Sequence, residues 1–102
     1  MLLPITIEEA RNIAAKHLQK TNPNGWDGNG PRPDDVDTFM ESYPIGSDAE
    51  IGIYFAYFDK SGWIHVCELR NKTGDLLSMG QAPGINDTDA LAETIKTIYN
   101  LR

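Results

Sequence analysis

Eight consecutive residues, Ile51-Gly52-Ile53-Tyr54-Phe55-Ala56-Tyr57-Phe58, are almost all apolar, β-branched or aromatic. The run is too short for a typical helix and predicts a central strand of a sheet. Asp59-Lys60-Ser61-Gly62 follows as a type I turn with a glycine available for the left-handed bulge position, and residues 63–70 resume extended structure. Asn71-Lys72-Thr73-Gly74-Asp75 is a second turn of the same kind and leads into Leu76-Leu77-Ser78-Met79. Upstream, residues 36–43 are β-compatible before Pro44, and Gly46-Ser47-Asp48 can turn them back onto 51–58. Four strands in an antiparallel meander are therefore predicted.

A helix is predicted on each side of this sheet. Thr6-Ile7-Glu8-Glu9 has the pattern of a capping box, in which Thr6 Oγ accepts from the Glu9 amide and the Glu9 carboxylate returns to the Thr6 amide. From Ile7 onward, Ile7, Ala10, Ala14 and Leu18 share one helical stripe, with Ile13 and His17 on its flank. Pro23 and Gly25 end the helix. A second helix is expected from Thr88 to Asn100, capped by Asn86 or Asp87, with a core stripe of Leu91, Ile95, Ile98 and Leu101. The order α-β-β-β-β-α predicts an α+β fold, a four-stranded antiparallel meander with both helices on one face. At 102 residues the chain, 1–102, is read as a single domain with one core.

Charge separates the function classes. The chain carries 15 acids against 9 bases, a net charge of −6, which argues against direct nucleic-acid binding because phosphate contacts need clustered Lys and Arg. The excess is local: residues 27–50 hold seven acids (Asp27, Asp34, Asp35, Asp37, Glu41, Asp48, Glu50) against Arg32 alone, equal to the charge of the whole chain. Such a run is either a solvated face kept acidic for solubility or an acidic patch aimed at a basic partner. One cysteine excludes an intramolecular disulfide and fits a reducing cytoplasm. Met1-Leu2-Leu3-Pro4 has no basic segment, apolar run or cleavage site, and no stretch approaches the roughly 20 apolar residues of a membrane span, so the expected location is cytoplasmic without membrane contact.

Residues 21–35 form a connection longer than most in a compact domain, and Trp26 is its one large apolar residue. Trp26 either folds back to anchor its own loop or stands as an aromatic interface anchor beside the acids. Asp27-Gly28-Asn29 starts like a calcium loop, but the sixth position is Arg32 and the twelfth is Thr38, so no calcium is expected. His65 and Cys67, two apart on a strand, share a face with Trp63 and Leu69. A free Cys is among the most buried residue types, and sheet packing is favoured over a nucleophile pair. His17, His65 and Cys67 are not brought together by spacing as zinc ligands. No phosphate-binding loop or nucleophile elbow occurs, so neither catalytic residue nor cofactor is expected.

The opening Ile5-Thr6-Ile7-Glu8-Glu9-Ala10-Arg11-Asn12-Ile13-Ala14 and the phrase from Ile64 to Leu77, which includes Thr73-Gly74-Asp75-Leu76-Leu77, resemble the small PepSY-like and cystatin-like α+β domains, a pattern also similar to small bacterial toxin-immunity proteins. The resemblance implies the fold and a binding or inhibitory role, with no catalytic residue. Two functions follow as expectations. The first is a non-enzymatic binding or inhibitor protein, such as toxin immunity or phage anti-defence. It would engage a basic protein or nucleic-acid-processing complex through Trp26, Asp27, Asp34, Asp35, Asp37, Glu41, Tyr43, Asp48 and Glu50, and a homodimer stays open. The second is a small-molecule-binding protein or minor enzyme with a pocket in the curved sheet, lined by Tyr54, Tyr57, Trp63, His65 and Cys67.

Overall fold

The computed structural model describes residues 4–101; the reading of Met1, Leu2 and Leu3 as leaderless lies outside them. The elements run α1 (Ile7–Thr21), β1 (Glu41–Ile45), β2 (Ala49–Phe58), β3 (Gly62–Asn71), β4 (Leu76–Ala82) and α2 (Thr88–Asn100). The strands form one sheet in the order β1-β2-β3-β4, antiparallel throughout. This is the predicted α+β meander.

Alternation along the strands decides where the core lies. Ile51 and Ile53 of β2 pair with Leu69 and Cys67 of β3, and all four are fully buried under the helices with Ala10, Ala14, Leu91 and Ile95. The residues between them point to the other side of the sheet. Both helices therefore pack on one face. They run antiparallel to each other: the Ile5 amide donates to Asn100 Oδ1 at the end of α2 (3.1 Å), and Arg11 Nε lies 3.2 Å from Asp89 Oδ1 near its start. Thr6 caps α1 by accepting from the Glu9 amide (3.1 Å), while the Glu9 carboxylate turns to the Thr6 hydroxyl (3.4 Å) instead of the Thr6 amide. Asp87 caps α2 by accepting from the Ala90 amide (3.0 Å).

Two boundaries differ from the sequence expectation. The first strand is Glu41–Ile45, not residues 36–43, and Pro44 lies inside it. As an edge strand, β1 tolerates a residue without an N–H. Residues 36–40 are held out of the ladder because the Asp37 amide donates to the Thr21 carbonyl (3.0 Å) at the end of α1. Leu101, assigned to the core stripe of α2, is 73% exposed: it follows the last helical residue and lines an open cleft with Met79, Gly80 and Gln81 of β4 instead of entering the core. A second, smaller core of Val36, Phe55 and Ile85, flanked by Trp26 and Trp63, fastens the long connection to the end of the sheet.

Candidate docking surface

The connection between α1 and β1 is built from its polar residues inward. Buried Asn22 closes α1 and grips Trp26 twice, its Oδ1 accepting from the Trp26 amide (2.9 Å) and its Nδ2 donating to the Trp26 carbonyl (2.8 Å). Trp26 then packs edge-on to Trp63 with ring centroids 5.6 Å apart, and its Nε1 donates to the Asn29 carbonyl (2.8 Å). Asp27 accepts from the Asn29 amide (3.0 Å), and that bond holds its carboxyl below the usual range. Of the two alternatives for Trp26, the structure has the folded-back one. Arg32 spans the next bend by donating to the Val36 carbonyl (2.7 Å), and Val36 plugs the smaller core.

That scaffold turns a short acidic stretch outward. Asp34 and Asp35 are exposed, with Asn24 donating to the Asp35 carboxylate. Asp37 accepts from the Phe39 amide (2.9 Å), an Asx turn that throws the Phe39 side chain into solvent. Phe39 is 81% exposed, more than any other large apolar side chain among the described residues, with Leu101 next at 73%, and Met40 beside it is 47% exposed. Arg32, Asp34, Asp35, Val36, Asp37, Thr38 and Phe39 line a cleft of about 430 Å³. Phe39 and Met40 did not figure among the expected anchors, because a strand over 36–43 would have paired them into the sheet. The Asp-Thr-Phe turn chemistry was the signal that places them.

The nine expected partner-binding residues do not form one surface. Glu41 is paired with Lys20 (2.9 Å), and the half-buried Tyr43 hydroxyl shares a hydrogen bond with His17 Nδ1 (2.9 Å). Asp48 lies 3.5 Å from the Tyr99 hydroxyl near the end of α2, whereas Asp37 is tied to the end of α1. Since α1 and α2 are antiparallel, these two acids sit at opposite ends of a helical layer about 20 Å long. Glu50 faces the other side of the sheet opposite Arg70. The acidic run is thus divided, with Asp27, Asp34, Asp35 and Asp37 at one end.

The expected sheet pocket is also divided. Trp63, His65 and Cys67 point to the helices, while Tyr54, one residue out of phase with Phe55, points to the opposite face beside Glu68. A period of two makes a pocket containing all five residues impossible. His65 and His17 are buried with rings 5.4 Å apart, and neither Nε2 has a hydrogen-bond partner among the described residues. Burial lowers His17 to about 4 and His65 to about 3, so both imidazoles are neutral at pH 7. Burial pushes the Cys67 thiol up to about 12. A disulfide-exchange reagent at pH 8 should accordingly leave Cys67 unmodified in the native protein and modify it at once in denaturant; fast native labelling would contradict this burial. Among the described residues no three His, Cys, Asp or Glu side chains gather as a metal site, and no helix is long and apolar enough to cross a membrane.

No protein-family model, curated protein or solved structure matches the chain.

Proposed function

We propose that this is a non-enzymatic binding protein that captures a basic protein through Phe39 and the carboxylates of Asp34, Asp35 and Asp37. The observation that carries the reading is the exposed aromatic ring of Phe39 held among acids by a loop fastened to its own small core. A desolvated aromatic ring supplies affinity, and the surrounding charge accelerates encounter with a partner of opposite sign. The sealed, neutral histidines and the protonated thiol support a role without nucleophilic chemistry. Inhibition of a basic enzyme, as in toxin immunity or anti-defence, belongs to this reading, as do the PepSY-like or cystatin-like kinship and a cytoplasmic location.

The test compares what the wild type, Phe39→Ala and the triple variant Asp34→Asn, Asp35→Asn, Asp37→Asn capture from host lysate at low and at high salt. A basic protein should be retained by the wild type and lost by Phe39→Ala at either salt. The triple variant should associate with it at least roughly tenfold more slowly, with a flattened salt dependence. Identical eluates from all three proteins would sink the reading.

A further inference from the structure

The two edges of the sheet are built differently. At one, β1 has only five residues, Pro44 lies inside it, and Glu41 is paired with Lys20. Short length, proline and charge are devices that keep an edge strand from pairing with another chain. At the other edge, β4 (Leu76–Ala82) carries neither charge nor proline, and its irregularity opposite Leu69 and Arg70 leaves residues 78–82 in regular register with β3. No strand or other backbone group meets the outer side of β4 among the described residues, so alternate residues present their N–H and C=O groups there unpaired. Leu76, Leu77 and Met79 are exposed along the same edge.

The helix beside β4 does not close this edge. α2 sits on the small residues of the strand: Ser78 Oγ donates to the Ile98 carbonyl (2.7 Å), and a Cβ on Gly80 would stand 2.7 Å from Ile98 Cγ2. An open cleft of about 300 Å³ lies between strand and helix, lined by Met79, Gln81, Thr97 and Leu101 among others, with Glu93 as its one charged residue. Unpaired backbone groups in a row select an extended strand, and a copy of β4 meets the remaining conditions. An antiparallel strand is its own complement about a two-fold axis. With Met79 opposite Met79 of the copy, all seven residues of β4 take part, Leu77 facing Gln81 and Leu76 facing Ala82. Charge does not hold two acidic chains apart here, because the acids of residues 27–50 belong to the connection, β1, its turn and the start of β2. Glu93 lies toward the Gln81 end of the cleft, and in this register the two copies of that end stand about 14 Å apart, beyond a Debye length of about 8 Å.

We propose that the free edge of β4 pairs antiparallel with β4 of a second copy of this chain, joining the two meanders into one eight-stranded sheet. The side formed by β4 and α2 is about 24 Å long and about 20 Å deep over its two layers, so pairing covers roughly 500 Å² on each copy. About 1,000 Å² in all is the lower limit for a specific interface, which makes the dimer weak and concentration-dependent. Assembly stops at two, since the edges left over are the β1 strands with Pro44. Dimerisation does not depend on the partner proposed above, because Phe39 and its acids precede β1 and lie outside the paired strands.

Sedimentation equilibrium should give a mass that rises from that of one chain towards that of two, and no further, as the protein is concentrated through the micromolar range. Met79→Lys sets like charges opposite each other at the two-fold axis and should weaken association roughly tenfold or more while circular dichroism stays native. It also brings the net charge of −6 nearer zero, so overall repulsion cannot be the cause. Met79→Cys should give a disulfide-linked dimer under mild oxidation, whereas Ser42→Cys, exposed on β1, should not. The mass of one chain at every concentration overturns the inference and would leave the edge to an extended segment of another protein. A dimer that Met79→Lys leaves intact, or that Met79→Cys does not cross-link, uses another surface and overturns it too. So does growth past two chains, which would show an edge that propagates without closing.

Discussion

Acidifying this protein from neutral pH to about 4.5 should remove about 5 kcal/mol of folding stability, through His17 and His65 together. Both side chains are buried, and burial is the main cause that lowers them to about 4 and about 3. For His17 the charge of Asp37 opposes burial and that of Lys20 adds to it; for His65 the charge of His17 adds to burial, and a backbone bond at Gly84 opposes it. In the unfolded chain both titrate near the ordinary 6.5. Above that pH neither state binds the proton, so the pair contributes no pH dependence. Below it the unfolded chain takes up protons first, and stability falls by up to about 1.4 kcal/mol per pH unit for each histidine until the folded values are passed.

The orphaned Nε2 atoms give the protons no acceptor to share inside, and charging both rings 5.4 Å apart adds repulsion. Domains of this size are stable by about 5–15 kcal/mol, so unfolding should begin between roughly pH 5 and 4. Melting temperatures of the wild type across pH 7.5 to 4 measure this without any substitution. A flat profile down to pH 4.5 would show that the imidazoles are not buried as neutral rings. In His65→Leu the acid slope should fall by about half.

Gly46→Ala should cost about 2–4 kcal/mol, from backbone and packing terms that act together. Gly46 has φ +63°, a conformation that L residues rarely adopt, and a Cβ there would stand 2.1 Å from the Tyr99 hydroxyl and 3.0 Å from its Cζ. The Tyr99 ring is buried in the main core and cannot simply swing away. Gly30→Ala separates the two terms: Gly30 has φ +73° with open space where its Cβ would go, so it should cost only about 1 kcal/mol. Urea denaturation followed by circular dichroism gives both values, and equal losses would mean that the β1–β2 turn relaxes around the added methyl. Because this turn lies at the end of the helices opposite Asp37, partner capture by Gly46→Ala should stay native under conditions where it is folded.

The elements were legible because their signals are local. Thr6 and Asp87 bond to amides three residues away, the β2 run forms its strand with the neighbour that its own turn supplies, and Gly62 and Gly74 take the positive φ that their turns require. Misread features depended on distant residues. Residues 36–40 look like a strand until the Asp37 amide is spent on the Thr21 carbonyl. His17 reads as a helix flank until His65 rises from β3 beneath it. Leu101 fits its stripe, but it lies past the last turn of α2 beside the edge strand β4 and stays exposed.

By itself the sequence determined the order of helices and strands, the two faces of β3, and the concentration of the whole net charge in residues 27–50, since propensity, period and charge need no knowledge of where the chain returns. Only the tertiary structure decided which of those charges act together. Lys20 pairs with Glu41, Asp48 lies beside Tyr99 at the far end of the helices, and Trp26 packs edge-on to Trp63, while Phe39 is left exposed among Asp34, Asp35 and Asp37. The three pairings join residues at least 20 positions apart (Lys20 with Glu41, Trp26 with Trp63, Asp48 with Tyr99), and such proximity is a property of the packed fold, not of any local stretch of chain.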